Sequence, residues 1–202
     1  MRLRRGFSLQ TLSYLYDVPT PTLSQMFTTW IQFIYLEFNE IKSLMFPSAN
    51  DLKSTLPPVF KGFNNIRCSI DCTEFHCQSP RNYSRQGNLY SQYKSHTTFK
   101  ALIAVTPHEL ACFISDLFEG CVSDKHIFCR SGIIDFINPG DVLLVDKGFK
   151  IEDVLAPFKA SIEIPPFLGK REHFTKEEIM KTRKIARARI HVERFNERLK
   201  KI

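Results

Sequence analysis

Three acidic residues stand where a carboxylate needs a reason. Asp71 interrupts the run Ile70-Asp71-Cys72-Thr73-Glu74, Asp146 ends Val142-Leu143-Leu144-Val145-Asp146, and Glu193 sits in His191-Val192-Glu193-Arg194-Phe195. A carboxylate placed in apolar surroundings is costly unless it is paired or holds a metal ion. Carboxylates that together hold two metal ions are an apparatus for displacing phosphodiester oxygens. Metal-assisted cutting of a nucleic-acid backbone is the chemistry these residue types suggest.

The elements that must position them follow from patterning. Residues 66–78 read as a strand in which Arg67, Ser69, Asp71 and Thr73 alternate with Ile66, Cys68, Ile70 and Cys72. Asp71 then points away from Ile66 and Ile70, while Glu74 and His76 are surface or supporting groups. Residues 97–105 and 110–115 are rich in β-formers and are joined by the turn Thr106-Pro107-His108-Glu109. Lys94 and His96 precede the first of these strands, where they could touch phosphate or be ordinary strand-edge residues. Val142 to Val145 is an apolar strand. Asp146 at its carboxyl end sits where ligand sites of open sheets lie, although a strand-ending Asx turn explains it equally well. Thr175-Lys176-Glu177-Glu178 has the form of a capping box and starts a helix running to the chain's end. Its buried stripe is Ile185, Ala188, Val192, Phe195, Leu199 and Ile202. Glu193 flanks that stripe, about 100° round from Val192; a surface pair with Arg189 is the plainer reading. A helix also begins near Ser123 or Asp124, with Asp124 read most simply as a cap, and another spans 150–160.

Residues 8–38 read as two helices broken at Asp17-Val18-Pro19, with Thr20 as N-cap and Pro21 at the first helical position. Phe27 and Trp30 lie on an apolar stripe and are expected in a core. The pair has the layout of a helix-turn-helix whose Thr22, Ser24, Gln25 and Thr28 would face a DNA groove, though spacing alone favours a plain αα-hairpin. Residues 46–65 are rich in Pro, Ser, Asn and Asp and read as a linker, and 79–92 as a polar loop or irregular hairpin. The domain plan is 1–45 helical, 46–65 linker and 66–202 an α/β domain.

Bulk properties narrow the class. With 202 residues, 43% hydrophobic and 18 Phe, the chain can build a sizeable core. No apolar run approaches the roughly 18 residues of a membrane span, so no membrane partner is expected. Residues 165–202 hold 12 Lys and Arg against 5 Asp and Glu, so this segment carries the whole net charge of +7. Such a basic surface suits a phosphate backbone, or is a solvated helix face. Of the six Cys, Cys72 and Cys77 with His76 lack a second ligand pair, which favours core thiols over zinc. Reduced thiols fit a nuclear or cytoplasmic location.

Taken together, IDCTEF at 70–75, YKSHTTFKALIAV at 93–105, GCVSDKHI at 120–127, LLVDKGF at 143–149, IPPFL at 164–168 and RIHVERFNERLK at 189–200 resemble the DDE superfamily of transposase nucleases, in particular the PIF/Harbinger-like group. Residues 12–35 resemble the helix-turn-helix that precedes the core there. The resemblance implies an RNase H-like mixed sheet flanked by helices. It makes Asp71, Asp146 and Glu193 the expected catalytic and metal-binding triad, with Asp124 a secondary acidic position. It implies two Mg²⁺ ions, with Mn²⁺ a workable substitute. Double-stranded DNA is the implied substrate, and Lys94, His96, Arg189 and Arg194 are expected to neutralise its backbone. An accessory DNA-binding protein and homo-oligomers are further expected partners, and the nucleus the expected location. The last residue falls nine positions after Glu193, so the resemblance reads as a C-terminally truncated copy. A domesticated, catalytically inactive DNA-binding protein is the alternative.

Overall fold

The computed structural model describes residues 2–169 and 171–201. Helices α1 (Arg2–Arg5), α2 (Leu9–Tyr16) and α3 (Thr20–Ile41) form an N-terminal helical region. Ser8 caps α2 by accepting from Thr11 N, and Asp17 closes it in the left-handed region at φ 50°. Thr20 is already helical: the flanking residue is Pro19, whose carbonyl accepts from Leu23 N. The expected burial of Trp30 and Phe27 fails. No residue of α3 is buried, because among the described residues α2 is the one element that packs along it at length.

Residues 46–65, expected as a linker, hold α4 (Ala49–Thr55) and a 3-10 turn at Pro58–Phe60. Ser48 and Asp51 cap each other's backbone, a helix-start device that Pro47 and Asn50 disguise as turn chemistry. Phe46, Leu52, Phe60 and Phe63 are buried, so this segment is packed onto the α/β domain.

The sheet contains β1 (Ile66–His76), β2 (Tyr90–Ser91), β3 (His96–Val105), β4 (Ala111–Ile114), β5 (Phe118–Glu119), β6 (Val142–Leu144) and β7 (Ser161–Glu163). Its order is β2-β3-β1-β6-β7, with β4 and β5 also pairing β3. β1 runs antiparallel to β3 and parallel to β6, and β6 is parallel to β7. Between the strands lie α5 (Tyr83–Leu89), in the segment expected as a loop, then α6 (Asp124–Arg130) and α7 (Glu152–Leu155). Ser123 is the cap of α6, accepting from His126 N. Asp124 is therefore freed for another role. Helix α8 (Lys176–Lys200) starts at the expected capping box of Thr175 and Glu178. This mixed α/β sheet, curled and flanked by helices behind a helical N-terminal region, is RNase H-like.

Both sheet faces are covered. Cys68, Ile70, Leu102, Ile127, Phe128, Leu143 and Val145 belong to the larger core, and Ile66, Leu144, Ile185 and Ala188 to the side under α8. Strict alternation would give Ile66 the same face as Cys68 and Ile70. It does not share that face, because the β1–β6 pairing is irregular between Ile66 and Cys68 and shifts the alternation. The buried Arg67 pairs with Asp141 at 3.7 Å, tying β1 to the turn before β6. Gly120 is required by close approach: a Cβ there would lie 2.5 Å from Leu89 O and from Thr98 Oγ1. Ile202, expected on the buried stripe of α8, lies outside the described residues.

Candidate active-site cleft

Two strands and two helices deliver the acidic groups to one place. Asp71 lies mid-strand in β1, opposite Ile103 of β3. Asp146 follows β6, the parallel neighbour of β1, so the two carboxylates come from adjacent strands. Val192, fully buried, anchors α8 and sets exposed Glu193 beside it. Asp124 opens α6. Asp71, Asp146, Glu193 and Asp124 all line one cleft of about 690 Å³.

Each carboxylate has its own surroundings. Burial pushes Asp71 up to about 6. Arg189 and a hydrogen bond from Asn196 act against that rise, while Asp146 and Asp124 add to it. The Asn196 bond is direct: Nδ2 donates to Asp71 Oδ2 at 2.8 Å. Asp146 Oδ1 accepts from Arg189 at 2.8 Å and from Lys147 N at 2.7 Å. The second arm of Arg189 lies 3.9 Å from Glu193 Oε1. Asp124 faces Lys100 Nζ at 3.5 Å, and that ammonium also sits 3.8 Å from Glu74 and donates to Val122 O at 3.2 Å. Glu74 in turn accepts from Thr98 Oγ1 at 2.8 Å. Burial also pushes the neighbouring Cys72 thiol up, helped by Asp124.

The other sequence-predicted residues divide. Lys94 lines the cleft, its ammonium 4.7 Å from the Tyr93 ring centroid. Arg189 lines it too, but half-buried and bonded to Asp146 rather than displayed to solvent. His96 lies at the start of β3, its ring 5.2 Å from that of His76, and is not among the cleft residues. Arg194 is exposed on α8 and faces Glu109 at 3.5 Å. Thr22, Ser24, Gln25 and Thr28 are exposed on the first turns of α3, with Thr28 Oγ1 donating back to Ser24 O at 2.9 Å. None of the four lines the cleft.

Sequence reasoning missed three residues. Asn196 is buried on the apolar stripe of α8, where a polar residue four after Val192 is the readable signal. Lys100 is the one Lys in the β-forming run 97–105, again a visible anomaly. Glu109, at φ 63° in the turn after β3, gathers His191 at 2.6 Å, Arg194 at 3.5 Å and Arg198 at 3.3 Å, all from α8. Only the fold brings those four together.

The donor set suits a hard divalent cation: every acidic ligand candidate offers oxygen, and burial disfavours the thiolate of Cys72, which lines the same cleft. Among the described residues, no three His, Cys, Asp or Glu side chains converge at metal-holding distance. The positive charge standing between Asp146 and Glu193 is the Arg189 guanidinium.

Fold and cleft together define an RNase H-like domain with an acidic centre ringed by basic side chains. Residues 70–202 match the family described as DDE superfamily endonuclease. The chain belongs to that family, a transposase-derived group of nucleases. No curated protein and no solved structure matches it.

Proposed function

We propose that this chain is a metal-dependent DNA endonuclease whose working groups are Asp71, Asp146 and Glu193. The observation that carries the reading is their arrival at one cleft from β1, the end of β6 and α8, with Asp124 on its wall. Asp71 and Asp146 would hold Mg²⁺ or Mn²⁺, with Glu193 completing the set. The bound ions would supply charge neutralisation and an activated water for in-line displacement at phosphorus.

The chain's own residues do the rest. Asn196 fixes one oxygen of Asp71 and would leave the second for an ion. Arg189 orients Asp146 and Glu193 toward each other. Lys94, Lys100 and Lys200 at the walls supply cations for the phosphodiester flanking the cut. DNA as substrate, joining of cut ends and a nuclear location belong to the same proposal.

A second reading rests on Arg189. A guanidinium already bonded to Asp146 and close to Glu193 neutralises part of the acidic centre, as in a descendant that binds DNA without cutting it. Two measurements separate the readings: nicking of supercoiled plasmid in Mg²⁺ or Mn²⁺, and Mn²⁺ titration by calorimetry. The nuclease reading expects nicking and Mn²⁺ uptake in the wild type, and loss of both in Asp71→Asn and Asp146→Asn. Absence of Mn²⁺ uptake with and without DNA sinks it and leaves the binding descendant.

A further inference from the structure

Helix α3 has an apolar surface that the described residues leave exposed. Leu23, Phe27 and Ile31 are half-buried and share one side of the helix, whereas every residue from Gln32 to Ile41 is exposed. On a helical wheel Met26, Trp30 and Phe33 fall within about 60° of one another, with Leu36 at the margin. They lie on a different face from Phe27 and Ile31. Their exposures, with Leu36 last, are 50%, 59%, 50% and 61%. Trp30 and Phe33 already stack edge to face at 5.8 Å, a preformed aromatic pair. With Ile34 and Ile41 beside them, the exposed area comes to roughly 600 Å², taking about 150–250 Å² for a large side chain. That is at the upper end of what a monomer leaves bare. Paired with itself, a patch of this size buries about 1,200 Å² in all, the lower end of specific interfaces.

Charge selects the occupant. From Gly6 to Ile41 there is no Lys or Arg, and the acids of α3 are Glu37 and Glu40, toward its C-terminal end. Both fall on the same side of the wheel as Trp30 and Phe33. Arg2, Arg4 and Arg5 lie at the other end, where the Arg2 guanidinium sits 5.9 Å from the Phe27 ring. Two copies of α3 packed antiparallel about the Trp30–Phe33 pair set residue 26 of one level with residue 37 of the other. The arginine-bearing end of each copy then lies toward the Glu37 and Glu40 end of the other. A parallel pairing would set acids against acids.

We propose that the Met26–Trp30–Phe33 face of α3 is a homodimer interface, formed with the same face of a second copy in antiparallel register. Ser24 and Thr28 lie on the far side of the helix and stay exposed in the dimer. The proposal does not depend on the nuclease reading.

Sedimentation equilibrium of the full chain, from about 1 to about 50 µM, tests it. The wild type is expected to show a monomer–dimer equilibrium. Trp30→Glu with Phe33→Glu is expected to weaken it at least about tenfold, with far-UV circular dichroism unchanged. Glu37→Arg with Glu40→Arg, which touches no packed side chain, is expected to weaken it as well, and adding Arg2→Glu, Arg4→Glu and Arg5→Glu to restore it. A wild type that stays monomeric, a dimer indifferent to the Trp30 and Phe33 changes, or a charge reversal without effect or rescue overturns the proposal.

Discussion

Asp71 is the residue whose environment is most at odds with its chemistry. Burial raises its folded pKa to about 6 from 3.8. Between about pH 4 and pH 6 the unfolded chain has released this proton while the folded chain still holds it. The folded state therefore binds more protons, and stability falls as pH rises through that window, the full cost being present above pH 6. A shift of this size corresponds to roughly 3 kcal/mol. Asp71→Asn, which cannot ionise, should be more stable than the wild type by about that amount at pH 8 and close to it at pH 3.5. Urea denaturation at the two pH values reads the difference, and a gap that does not change with pH contradicts this account. Asn196 acts in the opposite sense, because its Nδ2 stabilises the ionised carboxyl. Asn196→Leu should move the Asp71 titration, followed by NMR of the carboxyl carbon, to higher pH. A titration left in place would mean that the bond contributes nothing to the charged form.

At the scale of elements, α8 carries Arg189, Glu193 and Asn196, so the cleft depends on where that helix lies. Its buried residues Ile185, Ala188 and Val192 hold it against β1 and β3, and Glu109 pins its side through His191, Arg194 and Arg198. Glu109→Gln removes the one charge that faces Arg194, Arg198 and the His191 ring together. Backbone amides of residues 189–197 should then exchange about 3- to 10-fold faster in hydrogen-exchange measurements, while the strands are unchanged. Unaltered exchange in α8 would show that apolar packing alone positions the helix. Much of this is legible in the sequence. The capping box at Thr175, the stripe of Ile185, Ala188 and Val192, and the apolar strand that precedes Asp146 all follow local rules that the fold obeys. What is not legible depends on neighbours. Helix α4 hides behind Pro47 and Asn50; the face of Ile66 is decided by a pairing irregularity with β6; and Trp30, though on an apolar helix, stays exposed among the described residues. Glu109 cannot be linked to α8 from the sequence, since 82 positions separate it from His191.

Across the whole molecule, both signs of charge meet at the cleft. Acidic Asp71, Asp146, Glu193 and Asp124 line it together with Lys94, Lys100, Arg189 and Lys200, and Arg183 and Arg187 are exposed further along α8. Arg183 and Arg187 also line a separate groove with Pro58 and Met180, away from the acids. If the proposed DNA partner lies across this face, it releases counterions from each phosphate it neutralises, and the logarithm of the binding constant falls by about 0.9 per contact for each unit of log salt. Arg183→Gln with Arg187→Gln should therefore lower the salt slope by about 2, measured by fluorescence anisotropy of a labelled duplex between about 50 and 200 mM salt. Mn²⁺ uptake should be unaffected, because neither arginine lines the acidic cleft. A slope that stays the same would move the DNA path off α8 and onto the cleft walls alone. A slope that falls together with Mn²⁺ uptake would mean that the two changes disturb the helix rather than its surface charge.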